Sequence, residues 1–183
     1  MRNTLLKSHS TTIIGLRLNG KAAIGGDGQV SLDDMIFKAS AKKVRRLDEY
    51  DVLVGFAGAA ADGLTLLQRF EEKLSEYSGN IPRAVVELAK DWRTDRYLRR
   101  LEAMIVVISK QHSFILSGTG DVIEPDDGIC AIGSGGGFAL ASARAMLECK
   151  NAPEDPAEII RKSLEIAADI CIYTNKEIEV LSL

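Results

Sequence analysis

The sequence predicts an α+β domain in which two stacked antiparallel sheets are each covered on the outer face by a pair of helices. Three observations lead to this fold class. Hairpin signals dominate the strand-forming segments, and the predicted elements follow the order strands, two helices, strands, two helices. The chain of 183 residues is also long enough to bury a substantial core. Regular strand–helix alternation, which is typical of a parallel doubly wound sheet, is not seen.

The first predicted element is a hairpin. Residues 11–18 alternate in polarity and are rich in β-branched side chains, which predicts a strand. Asn19-Gly20 is a strong two-residue turn signal, and residues 21–24 return as the second strand. Because the two arms are of similar length, Asp27 in the following glycine-rich turn is expected close to the start of the first strand.

The middle of the chain predicts two more strands and then two helices. A basic strand is expected at 41–47 and a buried strand at 51–56. Apolar residues at three- and four-residue spacing between 64 and 77 predict an amphipathic helix. Pro82 suits the first turn of a second helix, whose buried face includes Trp92.

The second half of the chain repeats this order. Strands are predicted at 103–108, 113–116, 122–123, 129–132 and 176–181. Helices are predicted at 138–149 and 156–172.

Composition and charge exclude several classes of protein. The chain is 46% hydrophobic and 27% charged, with a formal net charge of −3, so we expect a globular protein without the basic surface of a nucleic-acid binder. No apolar run reaches the roughly 20 residues of a membrane span. Three cysteines without CxxC spacing fit a reducing, cytoplasmic environment. Two histidines leave little room for Ser-His-Asp or Cys-His chemistry.

Several motifs allow a functional interpretation but favour a structural one. The glycine run at 133–137 matches neither a P-loop nor a dinucleotide fingerprint, so we expect no nucleotide on this chain. A strand-to-helix turn explains the run, although such a helix start could still offer N–H groups to an anion. The aspartate pairs at 33–34 and 126–127 could serve acid–base or metal chemistry, but both lie beside turn signals, which favours solvated turns.

A threonine nucleophile is the remaining catalytic option. A threonine hydroxyl needs a base, and its own α-amine can serve if threonine is the first residue. A nearby lysine would lower the pKa of that amine. Residues 1–10, MRNTLLKSHS, are then either a frayed terminus or a pro-segment removed to expose Thr11.

Six segments carry a family resemblance that covers the chain from Thr11 almost to its end. They read TTIIGLRLNGKAAIGGDGQVS, KKVRRL, VGFAGAAADGLTL, VELAKDWRTDRYLRRLEA, AIGSGG and DICIYTN. Together they resemble the HslV family, the proteolytic subunits of bacterial two-component HslUV proteases, which are related to proteasome β-subunits. The resemblance implies the four-layer αββα sandwich of N-terminal-nucleophile hydrolases. It also implies removal of residues 1–10 as a pro-segment, leaving 11–183 as one proteasome-type peptidase domain.

The resemblance also assigns catalytic roles. It implies Thr11 as nucleophile and α-amine base, with Asp27 and Lys43 tuning that amine. Gly55 would supply the N–H that holds the oxyanion, and Ser134 would lie beside the amine. Considered singly, Lys43 would be read as solvated surface and Asp27 as a turn residue, so their joint spacing with Thr11 carries the assignment.

A sodium ion is a further implication of the resemblance. The backbone carbonyls of Ala168, Cys171 and Thr174 correspond to the family's ligands. Alanine stands at 168 where the family usually has glycine, and a carbonyl ligand survives that change if the backbone angles suit alanine.

The function implied is that of a threonine-type endopeptidase subunit. It would form two stacked six-membered rings, as a homododecamer, and degrade unfolded polypeptides delivered by an HslU ATPase hexamer, which would supply the use of ATP. Two alternatives stay open from sequence. One is another N-terminal-nucleophile amidohydrolase acting on small amides, and the other is an inactive structural ring subunit.

Overall fold

The fold was analysed in a computed structural model that describes residues 11–101 and 103–183. The predicted pro-segment at 1–10 lies outside the described residues. The strands are β1 (Thr12–Leu18), β2 (Lys21–Gly26), β3 (Val30–Leu32), β4 (Met35–Lys38), β5 (Val44–Leu47), β6 (Val52–Gly58), β7 (Ala103–Ile108), β8 (Ser113–Ser117), β9 (Val122–Ile123), β10 (Ile129–Gly133) and β11 (Glu179–Ser182). The helices are α1 (Ala60–Glu76), α2 (Ile81–Thr94), α3 (Gly136–Leu147) and α4 (Pro156–Ile170).

Two antiparallel sheets are stacked at the centre of the molecule. One has the strand order β10-β1-β2-β11, and the other has the order β5-β6-β7-β8-β9. Ile13, Ile24, Val44 and Val106 lie in the apolar layer between them and are at most 1% exposed. The predicted pair of stacked sheets is therefore confirmed.

A pair of helices covers the outer face of each sheet. Helices α1 and α2 pack on the second sheet, where Trp92 and Phe70 are fully buried. Helices α3 and α4 pack on the first sheet around Ile14, Ile160 and Leu164. The amide of Arg83 donates to the Asn80 side chain, which caps α2 directly before Pro82 occupies its first turn. This layering is the predicted αββα sandwich.

Several local predictions differ from the structure. The last strand begins at Glu179 rather than at residue 176, and the helix predicted at 138–149 spans Gly136–Leu147. The basic strand begins at Val44 rather than at residue 41. A two-stranded hairpin, β3–β4, was not predicted, and its Met35, Ile36 and Phe37 are each at least 60% exposed. Periodicity marks a strand by its buried alternate positions, and β4, whose four residues are all exposed, gives no such signal.

None of the helices in the described part of the chain is both long and apolar enough to span a membrane.

Candidate active site

Thr11 lies just before β1, where the ends of two neighbouring strands meet it. The amide of Ser134, after β10, donates to the Thr11 carbonyl at 2.9 Å. On the other side, the amide of Thr12 donates to Oδ1 of Asp27 at 2.8 Å, and the amide of Asp27 donates to the Thr12 carbonyl at 3.2 Å. The hairpin thus returns Asp27 to the start of the first strand, as its arm lengths predict.

Asp27 and Lys43 form a buried ion pair beside this strand. Nζ of Lys43 lies 2.8 Å from Oδ1 of Asp27, and the two side chains are 5% and 0% exposed. The lysine Nζ also donates to the Gln29 carbonyl at 2.5 Å. Because two partners fix the ammonium group, the lysine is held in one orientation toward the start of β1.

Asp27 accepts hydrogen bonds from four separate groups. Oδ1 accepts from the Thr12 amide and from Lys43, and Oδ2 accepts from the amides of Gln29, at 2.9 Å, and Asn175, at 3.2 Å. An ionised carboxylate accepts and cannot donate, so these four donors satisfy it. The side chain therefore ties together β1, the loop after β2, the residue before β5 and the turn after α4.

Burial alters the proton affinity of Lys43. Removal from water lowers the pKa of its ammonium group below the usual 10.5, while the charge and hydrogen bond of Asp27 partly oppose that effect. A lysine whose pKa is lowered by burial releases its proton more readily than an exposed lysine does. Its positive charge also favours the neutral form of any amine placed nearby.

The glycine run at 133–137 is explained by the close approach of the start of β1 to Gly133 and Gly135. Gly133 has a φ of +87°, and a Cβ atom on it would overlap the Thr11 carbonyl oxygen. A Cβ on Gly135 would overlap the hydroxyls of Thr12 and Thr174. These hydroxyls lie 2.7 Å apart, and the Gly135 amide donates to that of Thr12 at 3.0 Å. The run is thus a strand-to-helix turn shaped by the threonines.

A pocket of about 610 Å³ opens beside Thr11. Its lining combines apolar and basic side chains, together with one glycine. The lining residues are Thr11, Val30, Lys38, Ser40, Ala41, Lys42, Lys43, Arg45, Phe56, Gly58 and Leu64. Thr11 and Lys43 therefore face one space that is large enough for a side chain of a peptide.

Gly55 does not take the position expected of the oxyanion donor. A Cβ on it would lie 2.7 Å from Ile13 and 2.9 Å from Ile24, inside the layer between the sheets. The amide of Phe56 donates to the Lys43 carbonyl, and successive strand amides point to opposite edges. The Gly55 amide therefore points toward β7 and away from the pocket, so this assignment is corrected.

Gly58 is the glycine that lines the pocket with Thr11. It ends β6 with a φ of +115°, a conformation that favours glycine. By the same alternation of strand amides, the Gly58 amide points toward the β5 side of β6, as the Phe56 amide does. Both Gly55 and Gly58 lie in the segment VGFAG, so the motif alone could not distinguish them.

The three residues assigned to sodium lie at the end of α4. Ala168 is inside α4, and helical backbone angles suit alanine at least as well as glycine. Alanine can therefore stand here in place of the family's glycine without a change of backbone conformation. Its carbonyl belongs to the last helical turn, where carbonyls lack helical donors. The Cys171 carbonyl accepts from the Thr174 amide at 3.0 Å, which folds these residues into one turn. A carbonyl-bound cation is compatible with this arrangement.

The other candidate groups lie away from this site. Asp127 accepts from the Ile129 amide at 3.1 Å and from Arg144 at 2.7 Å, as a turn residue with a surface ion pair does. Asp34 is exposed in the turn between β3 and β4. Nδ1 of His112 lies 3.3 Å from a Glu124 oxygen at the surface.

Comparisons with known proteins agree on one family. The family model described as proteasome subunit matches residues 7–183. The ATP-dependent protease subunit HslV of Chlorobium phaeobacteroides (strain BS1) is 59% identical over 169 residues, which are 92% of each chain.

Two solved structures share the fold. HslV from Trypanosoma brucei superposes with a TM-score of 0.88 at 44% identity, over 94% of this chain and 98% of that chain. BPH from Thiobacillus denitrificans, solved with epoxomicin, has a TM-score of 0.71 at 19% identity over 94% and 97%, and supports the fold alone. With its sandwich fold and the match over almost its whole length, the chain belongs to the HslV branch of the proteasome family.

Proposed function

We propose that this chain is the threonine-type endopeptidase subunit of an ATP-dependent, proteasome-like protease. The observation that carries the proposal is the buried Lys43–Asp27 pair beside Thr11, at the wall of an open pocket. Family membership supports it, because the relative from Chlorobium is named an ATP-dependent protease subunit.

The chemistry requires a free amine on Thr11. Removal of residues 1–10 would create that amine and make 11–183 the mature domain. The Thr11 α-amine then takes the proton of its own hydroxyl as Oγ1 attacks the scissile carbonyl carbon. Lys43 supplies the positive charge that keeps the amine neutral and basic enough for this step, and Asp27 holds Lys43 in place.

The reaction proceeds through an ester on Thr11. The new Oγ1–carbon bond forms as the proton on the amine passes to the leaving nitrogen and the peptide carbon–nitrogen bond breaks. Water then attacks the ester with the same amine as base, which releases the new carboxylate and restores the hydroxyl. We assign the oxyanion contact to the Gly58 amide, and one such donor contributes about 3–4 kcal/mol in other enzymes.

The Ala168, Cys171 and Thr174 carbonyls would hold a sodium ion, since hard cations prefer oxygen ligands. Such an ion would keep the turn after α4 in place. Higher thermal stability in sodium than in an equal concentration of choline chloride is the expected result for the purified protein.

Assembly and delivery complete the proposal. The chain forms two stacked six-membered rings in the cytoplasm, and an HslU ATPase hexamer unfolds and delivers polypeptides. Exposed apolar surface supports assembly: a groove between α3 and α4 includes Phe138, Ile166 and Ile170, which are 42–55% exposed. Apolar exposure of this kind is typical of protein contacts.

Hydrolysis of a small fluorogenic peptide tests the function. We expect low activity alone, a rise on adding HslU and ATP, and an intact mass that corresponds to a chain starting at Thr11. Thr11→Ala should assemble but lose all turnover, because it lacks the hydroxyl. Turnover by that variant would contradict the mechanism. Cleavage of small amides but no peptides would favour the amidohydrolase, and an uncleaved, inactive chain would favour a structural subunit.

A further inference from the structure

Asn175 contacts the two backbone segments that carry Asp27 and Lys43. Its Oδ1 accepts from the Gly28 amide at 3.1 Å, and its Nδ2 donates to the Ala39 carbonyl at 2.8 Å. Its own backbone amide donates to Oδ2 of Asp27 at 3.2 Å. Asn175 ends the segment DICIYTN, and the assignments above give it no role.

Within the described part of the chain, one side-chain hydrogen bond of Asn175 is local. Oδ1 also accepts from the Glu177 amide at 3.2 Å, as in an ordinary Asx turn. The partners Gly28 and Ala39 are 147 and 136 residues away in the chain. A turn-forming asparagine needs no such distant partners, so the long-range contacts call for a separate explanation.

The two bridged segments lie against each other at this point. A Cβ on Gly28 would overlap the Ala39 carbonyl, and the Ala41 amide donates to the Gly28 carbonyl at 2.8 Å. Gly28 directly follows Asp27, and Ala39 precedes Lys43 by four residues. A shift between the two segments would therefore change the separation of the aspartate and the lysine.

We propose that Asn175 is a positioning residue that holds the Asp27–Lys43 pair in register with Thr11. The inference rests on the proposed function and adds a residue to it. Its side-chain hydrogen bonds go to the backbone of Gly28 and Ala39, so it acts through the backbone of the two segments that carry Asp27 and Lys43. Displacement of a reacting group by about 1 Å can lower a rate on the order of 100-fold, so a small loosening has a large effect.

The test compares peptide hydrolysis by wild type, Asn175→Ala and the control Asn80→Ala, with HslU and ATP present. Asn80 caps α2 and does not line the pocket, so its loss should lower Tm and leave kcat unchanged. For Asn175→Ala we expect kcat to fall about 10- to 100-fold while KM stays within about twofold. Active-site titration with a covalent inhibitor counts the competent sites, so kcat can be expressed per competent site. A lower kcat per site with an unchanged KM then indicates positioning and not a loss of folded protein.

The pH profile gives a second readout. Asp27 is the charged group that the structure places against Lys43, and it raises the pKa that burial lowers. Loosening the pair in Asn175→Ala should therefore move the alkaline limb of kcat to lower pH. The control should keep the wild-type profile.

A second variant covers the case in which Asn175→Ala does not assemble. Asn175→Ser keeps a side-chain oxygen that can accept in the local turn but loses the donor to the Ala39 carbonyl without placing a charge there, so we expect an intermediate kcat. Wild-type kcat and pH profile in whichever variant assembles would overturn the inference while leaving the proposed function intact. An inactive wild type would instead contradict the proposed function.

Discussion

Two lysines in this protein pair with aspartates at nearly the same distance. Nζ of Lys43 lies 2.8 Å from Asp27, and Nζ of Lys73 lies 3.0 Å from Asp91 and 3.0 Å from Glu76. The carboxylates differ in exposure: Asp27 is fully buried, whereas Asp91 and Glu76 are about half exposed. The pKa of Lys43 is lowered, chiefly by burial, and that of Lys73 is raised, chiefly by hydrogen bonds from its ammonium group to Asp91 and Glu76.

The comparison shows that desolvation, and not pairing distance, distinguishes the lysine at the site. Water around Asp91 and Glu76 screens the pair at Lys73, so this pair links α1 to α2 and leaves the ammonium group more stable, not less stable, than in solution. At Lys43 the protein replaces water with two oxygen partners, and the ammonium group stays less stable than in solution. The following predictions test that difference.

The largest expected difference is in catalysis. Lys43→Ala should lower kcat for the fluorogenic peptide at least about 100-fold, equivalent to about 2.7 kcal/mol, because the Thr11 amine loses its neighbouring charge. Lys73→Ala should leave kcat within about twofold of wild type. Both are measured on assembled protein, confirmed by native mass. Equal activity of the two variants would show that the proton-transfer network lies elsewhere.

Stability should follow the same order with a smaller effect. Lys43→Ala leaves Asp27 buried without its cation, a loss that typically costs about 3–5 kcal/mol. Three backbone amides still bond Asp27, so we expect the low end of that range and a folded protein. Lys73→Ala should cost less than about 1 kcal/mol. Urea unfolding at one protein concentration measures both values, and a larger loss for Lys73→Ala would reverse the comparison.

The sequence predicts the layers of the fold better than the details of the site. Strong local signals define β1, β2 and α2: the turn Asn19-Gly20, β-branched alternation, and Pro82 in the first turn of the helix. Hairpin geometry alone also brings Asp27 to the start of β1. These predictions succeed because each depends on residues that are close together in the chain.

Features that depend on orientation or on distant segments were missed. Choosing Gly58 over Gly55 required the direction of each amide in β6, which a segment containing both glycines does not reveal. Asn175 gives no local sign of its contacts with Gly28 and Ala39. Lys43 reads as surface in a basic run, because only the folded pairing with Asp27 shows that its ammonium group is buried.

The smallest expected effect is a difference in pH dependence between the two lysines. Because the pKa of Lys43 is lower folded than unfolded, the folded state releases this proton first as pH rises. The contribution of Lys43 to the free energy of unfolding should therefore increase between its lowered pKa and the unfolded value of about 10.5. Lys73 has a raised pKa, so its stabilising contribution is complete below about 10.5 and is lost as pH rises toward the folded value. Subtracting the free energy of unfolding of each alanine variant from that of wild type, at several alkaline pH values, cancels the groups that the substituted lysine does not contact. The differences should change with opposite sign, each by less than about 1.4 kcal/mol per pH unit. If the contributions of both lysines to the free energy of unfolding decline as pH rises, burial does not dominate the pKa of Lys43. The two ion pairs would then differ only in position.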